Sequence, residues 1–305
     1  MRQAFSDALV SIAVSDPKVL LLTGDHGYAL FDSFRKICPN QYINCGVAEQ
    51  NMVGVAAGLA KAGFKPIVYG LAAFIPVRVL EQIKIDVCYE NLPVIFVGDG
   101  AGLVYSHLGA SHQSTEDIAC TRAIPQITIL SPADRFEFTA CMNLAVQLSS
   151  PVYLRIGKGD CGDVHKAPLE LDSGELLQVR KGKKRIAFLS TGSMVVKALH
   201  LAEKKYDAEV WSFPSIKPIN ELALAEIANR VDCIVTLEEH SVIGGLGSCV
   251  TEELSKYGSI PILRLGIQDR FSKVCGSWEY LLEDQHLNLS YLEDEISRYL
   301  SKLGL

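Results

Sequence analysis

Short, wholly apolar runs alternate with helical patterns along this chain, and that alternation constrains its fold more than any other feature. VLLLT at 19–23, KPIVYG at 65–70, PVIFVG at 93–98, QITIL at 126–130 and VYLR at 152–155 are dominated by apolar residues. Runs of this kind and length belong to strands buried on both faces, as in a covered parallel sheet. A short strand is expected at 42–44. Helices are expected at 30–37, 48–60, 74–89 and 132–148. A first helix should end near Asp16, because Pro17 disfavours helix in the residue before it. Such alternation implies an α/β fold with a parallel sheet that offers ligands the carboxyl ends of its strands.

The pattern breaks at 157–184, where Gly, Asp, Lys and Pro dominate around one possible hairpin at 175–180. This stretch reads as an interdomain linker. A second α/β unit follows, with strands at 185–189, 208–213, 233–237 and 261–265 and helices near 194–205, 220–229, 245–257 and 291–303. The expected organisation is two consecutive α/β domains, 1–156 and 185–305, which 305 residues are enough to build.

Charge and cysteine usage exclude several classes. The net charge is -6 and no long basic run occurs, which argues against nucleic acid or anionic lipid as the main partner. Nine cysteines without a C-x-x-C pair suggest neither a disulfide framework nor zinc, so a reducing cytoplasm is expected. Phe5, Ala8, Leu9 and Ile12 recur at helical spacing around Asp7, unlike a signal peptide. Arg78 and Glu81 break the best candidate for a membrane span, so none is expected.

Four places carry residues suited to chemistry. The stretch NCGVAEQNMVGVAAGLA at 44–60 opens a helix with Glu49, where a carboxylate complements the helix dipole. Gly54 and Gly58 lie four apart on one face of that helix, each costing up to about 1 kcal/mol relative to alanine. Close packing, as across a subunit interface, would offset that cost. After the first strand, the turn Gly24-Asp25-His26-Gly27 presents polar groups, Asp25 among them. The glycine-rich loop DGAGLVYSHLGASHQ at 99–113 carries His107 and His112; with no cysteine or third histidine nearby, zinc is not expected there. Arg155 ends the strand VYLR, where a guanidinium suits bidentate phosphate binding.

The strings GVAEQN followed by AAGLA, GASHQ followed by TEDIA and RAIP, AAFIPVRVLEQIK, and LEEHSVIGGLG together resemble the transketolase family, from about residue 20 to about residue 270. The resemblance implies thiamine diphosphate as cofactor. It implies that Glu49 hydrogen-bonds N1' of the aminopyrimidine and favours its imino tautomer, and that Phe74 stacks on that ring. Tyr69 and Asp25 would line the same cofactor pocket. His112, with His107, would handle protons on substrate oxygens, and Arg155 would hold a sugar phosphate. The implied reaction passes a two-carbon ketol unit from a ketose or its phosphate to an aldehyde. Many transketolases carry aspartate where this chain has Leu108, which implies weaker selection for 2-hydroxyaldehydes.

Three strings mislead. Gly98-Asp99-Gly100 resembles the start of the family's metal and diphosphate motif, but the stretch AIPQITIL that should supply its asparagines has none. The sequence GGLG at 244–247 has Val250 where a dinucleotide loop needs a third glycine. Glu238, Glu239 and His240 are consecutive and are expected as a solvated strand end rather than a metal site. The diphosphate-binding domain that normally precedes these segments has no room before Asp25. The expectation is therefore the C-terminal subunit of a split transketolase. A separate N-terminal subunit would carry the Mg2+ and diphosphate site, in an α2β2 assembly. Three alternatives stay open: a deoxyxylulose-phosphate synthase-like enzyme, the beta subunit of a 2-oxo acid dehydrogenase, and a non-catalytic partner with a degenerate site.

Overall fold

The computed structural model describes residues 1–27, 29–158 and 161–305, and its strands fall on the apolar runs. In the first half these are β1 (Val19–Thr23), β2 (Tyr42–Asn44), β3 (Lys65–Leu71), β4 (Ile95–Asp99), β5 (Thr128–Leu130) and β6 (Val152–Ile156). They lie parallel in the order β5-β6-β4-β3-β1-β2. Helices α1 (Arg2–Ser15), α2 (Asp32–Ile37), α3 (Glu49–Lys61), α4 (Leu80–Gln82), α5 (Asp117–Arg122) and α6 (Arg135–Gln147) connect them.

Every residue of β1, β4 and β6 is buried. Successive strand residues face opposite sides. Leu20, Leu22, Val68 and Phe96 therefore meet Met52, Val53 and Ala56 of α3 on one face. Leu21, Ile67, Tyr69 and Val97 meet Phe5 and Leu9 of α1 and Phe138 and Met142 of α6 on the other. Each large apolar side chain so buried contributes about 1.5–3 kcal/mol. The single helix expected at 74–89 is broken into a 3-10 turn (Val77–Val79), α4, and a π-helical turn (Ile83–Cys88).

The second half holds β7 (Leu177–Arg180), β8 (Ile186–Ser190), β9 (Glu209–Ser212), β10 (Ser215–Lys217), β11 (Cys233–Ser241) and β12 (Ile262–Ile267). Its sheet has the order β12-β11-β8-β9-β7. The possible hairpin at 175–180 is one edge strand, β7, antiparallel to β9. Helices α7 (Met194–Leu201), α8 (Glu221–Arg230), α9 (Leu246–Leu254), α10 (Trp278–Asp284) and α11 (Leu289–Leu303) complete the unit. β10 leaves this sheet and pairs antiparallel with β5, extending the first sheet to seven strands. One apolar core accordingly runs from Met52 of α3 through Ile129 and Ile216 to Leu224 of α8 and Val250 of α9. Among the described residues, no helix is long and apolar enough to cross a membrane.

Gly159 and Asp160 of the expected linker lie outside the described residues. Farther along, that segment is tied down. Asp134 caps α6 through Oδ1, accepting from Phe136 and Glu137 N–H at 2.9 Å, while its Oδ2 accepts from the backbone N–H groups of Val164 and His165. His165 Nε2 lies 2.8 Å from Glu137 Oε1. Burial opposes a charge on this imidazole, but the Glu137 hydrogen bond and the charges of Glu137 and Asp134 outweigh it and raise its pKa. A raised folded-state pKa gives stability that is complete below the unfolded value of about 6.5 and is lost as pH rises through the folded value. Wild type should therefore melt higher than His165→Gln at about pH 6, with the gap closing by about pH 9. A gap that stays constant across that range in thermal melts would exclude the charged pair.

Candidate active site

The carboxyl ends of β1 and β3, the mouth of α3 and the loop after β4 meet at one edge of the first sheet. Gly46, with φ +71°, turns the chain into α3, and its N–H donates to Asn44 Oδ1 at 2.8 Å. Ala48 occupies the N-cap position and gives no side-chain cap, so the helix begins without the usual hydroxyl or carboxamide. Glu49 is the first helical residue and is only 4% exposed.

Its carboxylate is half satisfied. Arg78 Nη1 donates to Glu49 Oε2 at 3.0 Å, and the same guanidinium lies 3.8 Å from the centroid of the Phe74 ring. Glu49 Oε1 has no hydrogen-bond partner among the described residues. Its nearest basic neighbour, His26 Nε2, is 3.9 Å away and also lacks a hydrogen-bond partner there. The His26 ring is 6.4 Å from Phe74, and the His112 ring meets Phe74 edge-on at 5.4 Å. The fold thus gathers Glu49, Phe74 and His112 from three separate segments. It adds His26 and Arg78, which sequence reasoning left out of the site. The signals for them were present: His26 sits in the turn after β1, and Arg78 follows Phe74 by four residues.

His112 belongs to a 3-10 turn (Ala110–His112), and its Nδ1 is 3.0 Å from Ser111 Oγ. Paired backbone hydrogen bonds between Gly102 and Ser114, at 2.8 and 3.0 Å, close the base of this loop. His107 is exposed on the neighbouring turn (Ser106–Leu108), next to Leu108, which is 54% exposed. Asp25 is exposed at the same sheet edge, where Asn44 Nδ2 donates to its Oδ1 at 3.3 Å.

Two expected site residues are placed elsewhere. Tyr69 cannot line the Phe74 pocket, because strand alternation turns it to the opposite face of the sheet from α3. Its ring packs on Phe5 and Phe31, and its hydroxyl donates to Asp99 Oδ2 at 2.6 Å. Asp99 also accepts from Arg2 and from Tyr105, so this aspartate anchors α1 and the histidine-bearing loop. Burial and the Asp99 charge push the Tyr69 phenol far above its ordinary value, keeping it a donor.

Arg155 is likewise not at the ligand edge. It is 3% exposed, and its Nε donates to Asp117 Oδ2 at 2.8 Å. Its Nη2 donates to the carbonyls of Glu239, at 2.8 Å, and Ser114. These bonds tie the two α/β units together and commit the guanidinium expected to hold a phosphate. Glu238, Glu239 and His240 are buried too, rather than forming a solvated strand end. Glu238 accepts from the N–H groups of Leu246 and Gly247 at the start of α9. Glu239 Oε1 accepts from Leu103 N–H and Trp278 Nε1, while Ser193 donates to its Oε2. Burial pushes Glu238 up to about 7 and His240 down to about 4.

The orphaned Glu49 Oε1 beside a flat aromatic face suits a planar heterocycle with a protonated ring nitrogen, so the pocket fits an aminopyrimidine. No group of three or more His, Cys, Asp or Glu suited to a metal occurs among the described residues.

Comparison with known proteins agrees with this geometry. Residues 1–162 match the family model "Transketolase, pyrimidine binding domain" and residues 174–283 match "Transketolase, C-terminal domain". One of the two subunits of an apulose-4-phosphate transketolase from Phocaeicola vulgatus is 36% identical over 279 residues, covering 88% of this chain and 87% of that protein. The 1-deoxy-D-xylulose-5-phosphate synthase of Glaesserella parasuis is 36% identical over 271 residues; the match covers 88% of this chain but only 43% of the synthase. The solved structure of a split gene transketolase, an inactive beta4 tetramer, superposes with a TM-score of 0.88 at 34% identity, covering 98% of this chain and 97% of that one.

Proposed function

The chain belongs to the transketolase family, and from that premise we propose that it is the C-terminal subunit of a two-chain transketolase, supplying the pyrimidine half of each thiamine diphosphate site. One observation carries the reading: Glu49, Phe74 and His112 converge, with Glu49 Oε1 buried and unpaired beside the Phe74 face. The subunit and split-gene names of the two relatives that match along most of their length support the division into two chains.

When bound, thiamine diphosphate supplies the carbon nucleophile that carries a two-carbon ketol unit from a ketose or its phosphate to an aldehyde. Glu49 holds the proton at the pyrimidine N1' position, and Phe74 fixes the plane of that ring. His112, assisted by His107, moves protons at substrate oxygens. Asp25 borders the cofactor side of the pocket. With Arg155 committed, the substrate's anionic end is assigned to Lys158 and Lys197, whose ammonium groups each stand 5.7 Å from the Trp278 ring centroid. Trp278 connects to the histidine loop through Glu239 and Leu103.

The diphosphate and Mg2+ are assigned to an N-terminal partner subunit. Gly54 and Gly58 have no atom within 4 Å of where a Cβ would stand, and Val47 near the same helix is 74% exposed. This open face suits assembly of two copies of the chain with two of the partner, in a reducing cytoplasm.

Leu108 sets the test of substrate class. A leucine cannot accept the hydrogen bond by which a site selects a hydroxylated aldehyde, and such polar contacts carry much of that discrimination. The reconstituted two-chain enzyme should form ketol-transfer products from a ketose phosphate, with little preference between hydroxylated and deoxy aldehydes. Strong preference for the hydroxylated set that survives His107→Ala would contradict the Leu108 argument. Turnover of a 2-oxo acid in place of the ketose would contradict the reaction class.

A further inference from the structure

We propose that Arg78 stands in for the cofactor's aminopyrimidine in the unliganded chain, and that the ring enters by exchanging with this side chain; the inference rests on the cofactor reading above. The guanidinium makes both contacts that a flat amino-heterocycle would seek here. It lies 3.8 Å over the Phe74 ring and donates to Glu49 Oε2 at 3.0 Å. A guanidinium is planar, delocalised and a donor along an N–C–N edge, and it stacks on aromatic faces. An aminopyrimidine shares the planarity and the donor edge.

The surroundings make the exchange necessary and feasible. Glu49 is 4% exposed, and a carboxylate buried there needs a partner. His26 is the only other basic group paired with it among the described residues, at 3.9 Å, too far for a hydrogen bond. Arg78 therefore keeps Glu49 oriented until the ring arrives. Its own side chain is 43% exposed, so it can swing into solvent without crossing the core. The cost of releasing it subtracts from ring affinity, just as a minor binding-competent state weakens an apparent dissociation constant.

The test uses the full-length chain and 4-amino-2,5-dimethylpyrimidine, which carries the ring without thiazolium or diphosphate. In wild type, the Arg78 Nε–H resonance should be shifted upfield by the Phe74 ring and should return toward the solvent-exposed position as the fragment is added. Arg78→Gln, which keeps a donor for Glu49 but loses the charge and the stack, should bind the fragment about tenfold more tightly. Arg78→Lys should fall between the two. Fragment binding that leaves the Arg78 resonance unmoved, or that is no tighter in Arg78→Gln, would overturn the exchange while leaving the pocket assignment intact. No binding to wild type or to either Arg78 variant would also overturn the exchange. Equal binding by wild type, Phe74→Ala and Glu49→Gln would overturn the pocket itself, and the exchange with it.

Discussion

Glu49→Gln lowers kcat of the reconstituted enzyme by about a hundredfold or more, the size typical of losing a positioned acid–base group. Glutamine keeps the length and planarity of the side chain, so α3 and its buried residues Met52, Val53 and Ala56 keep their packing. The first turn loses a carboxylate that complements the helix dipole, a cost of about 0.3–1 kcal/mol. What disappears is the acceptor charge at Oε1, the buried oxygen that has no hydrogen-bond partner among the described residues. An amide there cannot hold a proton at the pyrimidine nitrogen. Circular dichroism and assembly should match wild type while turnover falls. Near-normal kcat with the partner present would remove Glu49 from its assigned role.

Arg155→Met destabilises the chain by about 3–5 kcal/mol, the usual result of deleting one member of a buried ion pair. Arg155 and Asp117 are 3% and 0% exposed, and Asp117 Oδ1 already has no hydrogen-bond partner among the described residues. Without the guanidinium, Asp117 keeps only the Tyr153 hydroxyl, at 2.6 Å. The link from β6 to the Glu239 carbonyl in β11 is lost as well. The double variant Arg155→Met with Asp117→Leu should recover part of the loss, because no unpaired charge is then left buried. Denaturant melts of the single and double variants decide the point. A large rise in KM for phosphorylated substrates with unchanged stability would instead return Arg155 to the phosphate.

The parallel strands of the first unit could be read from the sequence because burial on both faces forces unbroken apolar runs, and VLLLT, PVIFVG and VYLR have no other comfortable place. Glu49, Phe74 and His112 were legible because each sits in a local string at an element boundary. β10 was not legible: a three-residue strand shows no periodicity, and its pairing with β5 joins segments far apart in the chain. Tyr69 was misplaced because closeness along a strand ignores the alternation of faces. Arg155 and the run Glu238–His240 were misread for a shared reason. A charged residue at a strand end looks solvated when the second unit that covers it is considered separately. Here that unit brings Glu239 onto Leu103, Arg155 and Trp278, and buries the whole group.

The division of the active site between two chains is tested most directly by titrating thiamine diphosphate, with and without Mg2+, into this chain alone and into its mixture with a diphosphate-binding partner, measuring heat and ketol transfer together. The diphosphate carries the cofactor's negative charge and needs Mg2+ in an oxygen-rich, mostly octahedral site. Asp99, the one aspartate in a G-D-G string, is already held by Arg2, Tyr69 and Tyr105. The chain alone should bind the cofactor weakly or not at all and should transfer nothing, while the mixture should bind it in a Mg2+-dependent way and turn over. Tight Mg2+-dependent binding, or ketol transfer, by this chain alone would contradict the account.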